Sequence, residues 1–459
     1  MIIGGKSAGQ TGNIRQEEIK IDSVYITGNK VTKPQIILRE LMFKAGQSYE
    51  KGDMDTILSE SRDNVFNTQL FNFVTFTLDS LPACPGCYIL HIDVIERWYI
   101  WPIPIFEIGD RNFNVWWSES RSIEHINYGI NLDWQNFRGR KENLVMKLQF
   151  GYEEVISLEY RIPYLNKRKT LGIGFGAGYG RFHDVPYKTE NNKQVYFDQD
   201  PGFARQDVTG KVQIYYRPDI FNTHLFELAY NRHLFSDSLV STDPYYSLGR
   251  TRDEYFVFHY KYKSDHRDYQ SYPLLGYYFD FEIFKNGFTG NSGPSFLSVS
   301  STFRKYWQLA DRFHYAFGIN AKFSDDGRQP YYLLRGIGFG RDIVRGYEYY
   351  VANGQNFGIL KNNLKFTLFR KEQSDLKVLR SDKFARTYFA FYINAYVDFG
   401  YADNRQFYGD HTNTLENELL IGYGVGLDFV TYYDIVIRFE TSFNRMGEPG
   451  FYLHFRAPV

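Results

Sequence analysis

The sequence predicts a small α+β domain followed by an all-β transmembrane barrel of about sixteen antiparallel strands. Of the 459 residues, 19% are aromatic, yet the mean hydropathy is −0.43 and no segment approaches the roughly 18 uninterrupted apolar residues of a membrane helix. Barrel strands that cross a membrane are apolar only on alternate residues, and aromatic girdles mark both interfaces. The composition therefore favours a membrane barrel over the alternative of a soluble all-β protein.

The chain begins with a polar N-terminal lead, residues 1–18. The apolar run at its start is broken by two glycines and a lysine, so it does not resemble a signal peptide. An exported barrel requires an export signal. We therefore suspect a truncated or engineered start.

Residues 19–97 have the pattern of the small domain. In order, the pattern predicts strand, helix, helix, strand and strand over residues 19–29, 33–42, 53–70, 71–79 and 88–97. In the second helix Asp53 is the expected N-cap. Ile57, Val65 and Leu70 are expected on its buried face.

The only two cysteines, Cys84 and Cys87, lie in the connection between the last two strands of this domain. A CxxC motif can be a redox pair, half of a zinc site or a small staple. No second CxxC or His pair lies near enough in sequence to suggest zinc. A thioredoxin-like redox motif should lie at a helix N-terminus, whereas this one lies in a hairpin loop. In an oxidising compartment we favour a loop-closing disulfide, or two idle thiols, over redox catalysis.

Residues 98–459 have the alternating pattern of the barrel. On residues 434–440, for example, Ile435, Ile437 and Phe439 oppose Asp434, Arg438 and Glu440. The predicted strands span 101–108, 126–137, 142–152, 154–165, 169–181, 205–217, 223–235, 253–264, 277–286, 296–308, 313–324, 357–370, 388–401, 419–430, 433–444 and 450–459.

The connections between these strands are mostly long after odd-numbered strands and short after even-numbered ones. Periplasmic turns of such barrels are short and outer loops long, so the small domain is expected on the periplasmic side. There are two exceptions, a tight connection near residues 151–153 and a long one at 371–387.

The long connection 325–356 contains the sequence GIGFGRDIVRGYEYY at residues 336–350, which lacks strand alternation. Arg345 lies in it between Val344 and Gly346. A guanidinium away from water needs a fixed acceptor. One hypothesis is that the loop folds into the barrel lumen and docks Arg345 there; the other is an exposed arginine in an outer loop.

Two predicted strands carry glycine at every second position, at residues 172–180 and 422–426. A dinucleotide-binding fingerprint would need a following helix and an acidic residue about twenty positions on, whereas these glycines recur with the period of two of a strand and form one bare face. A bare inner face would leave space for a docked loop. Simple curvature of the barrel is the alternative.

The first barrel strand contains Pro102 and Pro104, which lack amide protons on the same edge. If this edge meets the last strand, with Phe451, Leu453 and Phe455, the barrel has a seam that is short of hydrogen bonds and could open sideways. The alternative is that the strand begins only at Ile105 and the prolines belong to a linker.

The sequence offers little support for an enzyme. No nucleophile elbow, HExxH pair or P-loop occurs, and the ten histidines are scattered. No catalytic residue, cofactor or metal site is predicted. The 53 basic residues balance 53 acidic ones, which gives no indication of nucleic acid binding.

Several of these elements together resemble the bacterial surface antigen superfamily of outer-membrane assembly factors, which includes BamA and TamA. Residues 19–97 are similar to a single POTRA domain. The run from Val344 to Tyr347 (VRGY) resembles the family's loop motif, and Asp398-Phe399-Gly400 resembles the motif that receives its arginine. Residues 157–165 and 264–276 resemble the end of the family's fourth strand and its turn before the ninth.

The resemblance implies a bacterial outer-membrane factor, with its POTRA-like domain in the periplasm. It implies that Arg345 is anchored in the lumen by Asp398, and that outer-membrane lipids, unfolded outer-membrane or exported polypeptides and accessory subunits are its partners. The implied function is insertion of barrel proteins or export of polypeptides. A docking subunit of one outer-membrane complex and a passive pore are the alternatives. Two features depart from the family pattern: the single POTRA domain, which weakens a role as a general assembly machine, and the ending Arg-Ala-Pro-Val in place of a terminal aromatic residue.

Overall fold

The computed structural model describes residues 18–108, 126–288, 293–375, 386–405, 412–431 and 435–454. The chain divides into two compact units between Glu96 and Arg97, one residue before the predicted boundary. Among the helices in these ranges, none combines the length and the apolar character needed to span a membrane.

The first unit is a four-stranded sheet with two helices. Its sheet order is β2-β1-β4-β3, with β1 parallel to β4 and the other pairs antiparallel. Ile21, Leu90 and Ile92 form part of its core and are fully buried. Its elements are β1 (Glu18–Thr27), α1 (Pro34–Leu38), β2 (Ser48–Glu50), α2 (Lys51–Phe66), β3 (Phe71–Ser80) and β4 (Cys87–Glu96).

The predicted element order is present, with one strand added. β2 has only three residues, too few to show a periodic pattern in the sequence. Helix α1 ends at Leu38, four residues before the predicted end.

The predicted N-cap of α2 is wrong. The helix begins at Lys51, so Glu50 occupies the N-cap position without a side-chain cap hydrogen bond, and Asp53 lies in the first turn. There its carboxylate still interacts favourably with the positive end of the helix dipole. The buried residues of the helix are Met54, Ser61 and Val65, and Ile57 is only half-buried.

Cys84 and Cys87 are joined by a disulfide with an S–S distance of 2.03 Å. It closes the connection between β3 and β4. The backbone supports the same turn, because Leu81 N donates to Cys87 O at 2.9 Å and Cys87 N donates to Cys84 O at 3.0 Å.

The second unit is a sixteen-stranded antiparallel sheet in which successive strands are neighbours. All sixteen predicted strands are present. Its strands are β5 (Ile100–Ile108), β6 (Ile126–Phe137), β7 (Glu142–Gly151), β8 (Glu153–Ile162), β9 (Leu171–Phe182), β12 (Arg205–Tyr216), β13 (Asn222–Phe235), β14 (Arg252–Asp265), β15 (Gly276–Asn286), β16 (Phe296–Ala310), β17 (Phe313–Ser324), β18 (Asn356–Asp375), β19 (Arg386–Asp403), β20 (Leu419–Thr431), β21 (Val436–Asn444) and β22 (Pro449–His454).

The two faces of these strands differ as the alternation predicts. On β21, Phe439 and Phe443 are about 40% exposed, while Arg438 and Glu440, on either side of Phe439, are buried. An apolar outer row beside a polar, enclosed row is typical of a barrel with lipid outside and a filled lumen inside.

The long connections carry structure that the sequence did not predict. The connection after β9 forms a hairpin of β10 (Asp184–Glu190) and β11 (Lys193–Asp198), and the connection after β13 contains the short helix α3 (Asp237–Thr242). The tight connection at Tyr152 is present. The predicted long connection at 371–387 is shorter, because β18 and β19 extend into it; its remaining residues lie outside the described ranges.

Candidate functional site

The connection between β17 and β18, residues 325–355, folds back against the inner face of the barrel, and we call it the lumen loop. Its two arms are joined by an antiparallel bridge in which Ile337 and Ala352 exchange backbone hydrogen bonds, both of 2.9 Å. Val344, Arg345 and Tyr347 near its tip are at most 2% exposed. An outer loop surrounded by solvent would leave these side chains exposed, so the sequence hypothesis of an exposed arginine does not describe this structure.

The guanidinium of Arg345 forms a two-pronged ion pair with Asp398 on β19. Nη2 lies 2.6 Å from Oδ1 and Nε lies 2.7 Å from Oδ2, while the Arg345 backbone N–H also donates to Oδ2 at 3.3 Å. Asp398 is fully buried. This fork geometry uses both carboxylate oxygens and gives a strong, directional contact that a lysine could not reproduce.

The ring of Tyr396, two residues before Asp398 on the same face of β19, supports the guanidinium. Arg345 Cζ lies 3.6 Å from the ring centroid, within the range of a cation–π contact. Arg345 Nη1 has no hydrogen-bond partner. Because the planar guanidinium stacks on the ring face, it keeps a favourable cation–π contact that an aliphatic side chain at position 396 would not provide.

Two glycines of the neighbouring strands allow the loop backbone to approach the barrel wall. A Cβ atom at Gly422 on β20 would overlap the carbonyl oxygen of Arg345, and a Cβ at Gly400 on β19 would lie 2.5 Å from Val344 Cγ2. The hypothesis that the bare face of this strand leaves room for the loop therefore agrees with the structure at Gly422.

The glycines of β9 do not have this role. A Cβ at Gly174 or Gly176 would meet the side chains of Gln213 and Lys211 on β12. These glycines make room for long side chains of a neighbouring strand, and the expectation that they face the docked loop is wrong.

Beyond Arg345, the lumen loop rests on the last strands of the sheet. Asn444 Nδ2 donates to Gly346 O at 3.0 Å, and the Tyr350 hydroxyl donates to Glu448 Oε1 at 3.1 Å. The rings of Tyr349 and Tyr452 are 5.4 Å apart. The loop thereby connects the middle of the barrel wall to β21, β22 and the turn between them.

Other long connections cover the base of the lumen loop. Asn192 of the β10–β11 hairpin accepts a hydrogen bond from Val351 N at 2.8 Å and donates its own N–H to Asn413 Oδ1 at 2.9 Å. The hydroxyls of Thr189 and Tyr331 are 2.9 Å apart. The lumen loop is thus held by the barrel wall and by two other long connections.

A second buried charge cluster lies nearer the end of the barrel with the short turns. Asp428 and Arg438, both fully buried, form an ion pair with Nη2–Oδ2 at 2.6 Å. Tyr272, from the turn between β14 and β15, donates to Asp428 Oδ2 at 2.6 Å, and the buried Lys365 Nζ lies 4.3 Å from the Tyr272 ring centroid. The turn between β14 and β15 thus contacts side chains of β18 and β20, which are not its neighbours in the sheet.

Sequence reasoning missed this second cluster. The alternation places Arg438 on the polar face of its strand. Its ion-pair partner Asp428 is 10 residues away in the chain, and Tyr272, which donates to that same carboxylate, is 166 residues away. Two-residue alternation identifies a lumen-facing charge and contains no information on its partner.

The prolines of β5 lie on the edge that faces away from β6. Gln135 N donates to Tyr99 O at 2.8 Å, and the register between the strands is regular. In an antiparallel pair, residues that bond to the neighbour alternate with residues whose backbone points the other way. Tyr99 and every second residue after it face β6, so Pro102 and Pro104 face the opposite edge.

That edge is one end of the sheet, and β22 is the other. In the ranges that the structure describes, no register joins β5 to β22. Phe451 and Leu453 of β22 are 67% and 47% exposed, and Phe455 lies outside the described residues. Both prolines lie within β5, so the alternative that the strand begins only at Ile105 is wrong.

Comparisons with known proteins agree with both units. Residues 19–86 match the POTRA family model, described as a surface antigen variable number repeat. No curated protein sequence is significantly similar to the chain.

Among solved structures, the fold is similar to BamA from Haemophilus ducreyi lacking POTRA domains 1–3, with 12% identity and a TM-score of 0.52, covering 95% of this chain and 83% of that one. CdiB from Escherichia coli has the same identity and TM-score, with 95% of this chain and 75% of that one covered. A POTRA domain followed by this barrel indicates the bacterial outer membrane, with the POTRA domain in the periplasm. The chain thus combines a POTRA domain of the surface antigen type with a sixteen-stranded barrel of the BamA and CdiB fold.

Proposed function

We propose that this protein is an outer-membrane assembly or translocation factor that inserts barrel proteins or exports polypeptides, without enzymatic activity. The observation that carries the proposal is the buried pair of Arg345 and Asp398, which docks the lumen loop against the last strands of the sheet. A charge pair of this kind is a costly way to hold a loop, because both groups lose their water. A fixed loop that also contacts the end of the sheet is suited to control that end.

The seam supplies the working surface in this proposal. A strand edge with free backbone groups is a template for another strand. On β5 the two proline positions offer no donor, so a partner strand gains fewer hydrogen bonds there than along a regular edge. A weak junction between first and last strands can open, accept a segment of client polypeptide and release it.

The POTRA domain offers a second edge for an unfolded client. β3 has ten residues and, in the described part of the chain, pairs only with β4. An extended segment can add to such an edge through backbone hydrogen bonds, with little dependence on its sequence. This mode suits a factor whose clients share a conformation and differ in side chains.

The test is depletion of the protein in its native cell, followed by quantitative proteomics of the isolated outer membrane. Broad loss of barrel proteins identifies a general assembly factor, and loss of one exported protein identifies a dedicated transporter. Complementation with Arg345→Ala should fail, whereas Arg252→Ala, which alters an exposed arginine that pairs with Glu254 on its own strand, should restore the wild-type profile.

Two outcomes contradict the proposal. If the outer-membrane proteome is unchanged after depletion, and the subunits of one complex stay inserted but no longer associate, the protein is a docking subunit. Appreciable ion conductance of the purified wild-type protein, with no effect of depletion on other proteins, identifies a passive pore.

A further inference from the structure

A cluster of three side chains joins the lumen loop to the last described strand. Glu348 lies three residues after Arg345, Glu440 is on β21, and His454 ends the described part of β22. His454 Nε2 is 3.3 Å from Glu440 Oε1 and 3.7 Å from Glu348 Oε1. One oxygen or nitrogen from each residue lies within 4.8 Å of the other two.

These distances fit the donor set of a metal ion. Zinc bonds nitrogen and oxygen ligands at about 2.0–2.1 Å in tetrahedral geometry, which places two ligands about 3.4 Å apart. Zinc sites that keep a fourth position for water have three protein ligands, and imidazole nitrogen and carboxylate oxygen are both zinc donors, so one imidazole and two carboxylates would supply three ligands. Calcium would need six to eight oxygens, more than this cluster contains.

Each of the two glutamates of the cluster has one buried carboxylate oxygen without a hydrogen-bond partner. The Glu348 side chain is only 10% exposed, and its Oε1 has no partner. Glu440 is 1% exposed, and its Oε2 also has none. Buried carboxylate oxygens cost free energy when they are left unsatisfied, so these atoms are poised to accept a ligand.

Hydrogen bonds from surrounding groups orient the carboxylates. Glu348 Oε2 accepts from Gly346 N at 2.8 Å, and Glu440 Oε1 accepts from the Tyr396 hydroxyl at 3.2 Å and the Ser442 hydroxyl at 3.3 Å. Such outer contacts fix the ligands of metal sites and tune their affinity.

The nearby arginines are already matched by other acids. Arg345 pairs with Asp398 and Arg438 pairs with Asp428, each with an N–O distance of 2.6 Å. The longer Arg438–Glu440 separation of 4.0 Å is not a hydrogen bond. Two glutamates are therefore left for one imidazole, and a doubly charged cation would balance them.

We infer that Glu348, Glu440 and His454 bind a divalent transition-metal ion of the zinc class, which cross-links the lumen loop to the last strand. The inference concerns binding and does not depend on the proposed function. Because the ligands come from β21, β22 and the lumen loop, the bound ion fixes the loop to the end of the sheet.

The test uses the full chain, folded in detergent, without an affinity tag and stripped with a chelator. Isothermal titration with Zn²⁺ should show one site per chain. His454→Gln and Glu348→Gln should each weaken it at least about 10-fold, the scale of loss seen even when only outer-shell groups are removed. Glu418→Gln, at a carboxylate that is 57% exposed, is the matched control and should bind as the wild type does.

Folding of each variant is checked by heat-dependent mobility in gel electrophoresis, so that failure to fold is recognised. Co²⁺ in place of Zn²⁺ should give the absorption of a tetrahedral site in the wild type and lose it in His454→Gln. If the wild type binds no Zn²⁺, the three groups form an ion pair of protonated histidine with carboxylates, and the inference is wrong. Equal binding by the wild type and both ligand variants would place the ion elsewhere and would also overturn it.

Discussion

Replacing Arg345 with alanine should release the lumen loop while the barrel stays folded. The change removes both prongs of the ion pair and leaves Asp398 as a fully buried carboxylate. Breaking a buried pair from one side costs about 3–5 kcal/mol, because the remaining charge is uncompensated. The apolar contacts of Val344 and Tyr347 with the wall remain and limit the change to the loop.

The magnitude translates directly into loop opening. Since each 1.4 kcal/mol is about a factor of ten, the docked fraction relative to the undocked one should fall by roughly 10² to 4 × 10³. Hydrogen exchange of the folded protein in detergent reports this opening at the amides of Ile337 and Ala352, which bond to each other across the loop. Amides of β19 should keep their protection.

A double variant separates the lost contact from the stranded charge. Asp398→Ala in the Arg345→Ala background removes the uncompensated carboxylate, so it should lose less stability than the single change predicts. Arg252→Ala is the matched arginine control at an exposed site away from the lumen loop. Wild-type exchange of the loop amides in Arg345→Ala would refute the claim that this pair holds the loop.

Three further outcomes follow from the contacts described. Gly422→Ala forces a Cβ into the Arg345 carbonyl oxygen and should raise loop exchange, whereas Gly358→Ala, which meets open space, should not; equal exchange in both would show that the close approach is unimportant. Pro104→Val restores a donor on the free edge of β5 and should strengthen a closed seam by about 0.5–1.5 kcal/mol, seen as slower uptake of a client polypeptide; unchanged or faster uptake would mean that this edge does not open. The Cys84–Cys87 disulfide closes only a short loop, so its reduction should destabilise the POTRA unit by only about 2 kcal/mol. Hydrogen exchange of the β4 amides in the full chain measures this loss, and complete loss of protection there would contradict the prediction.

The strand pattern was readable because it is local. Alternation with a period of two depends only on which residues face lipid and which face the lumen, and it identified all sixteen strands from β5 to β22. The order of elements in the small domain was equally local. The errors lie where a few residues decide the outcome, such as the start of α2 at Lys51 and the three-residue β2.

The prolines of β5 are an intermediate case. Their spacing in the sequence placed both missing donors on one edge of a strand. Which edge this is depends on the register with β6, and a single backbone bond from Gln135 to Tyr99 fixes it.

By itself, the sequence determined the two-part architecture and named Arg345 and Asp398 through resemblance to a family. Only the tertiary structure decided what surrounds them. Glu348, Glu440 and His454 are separated by 92 and 14 residues in the chain, and the sequence predicted no metal site there. Alternation assigns each strand residue to a face, but the partner across the lumen is set by how the whole sheet curls and where the loop enters, a long-range property that no local pattern contains.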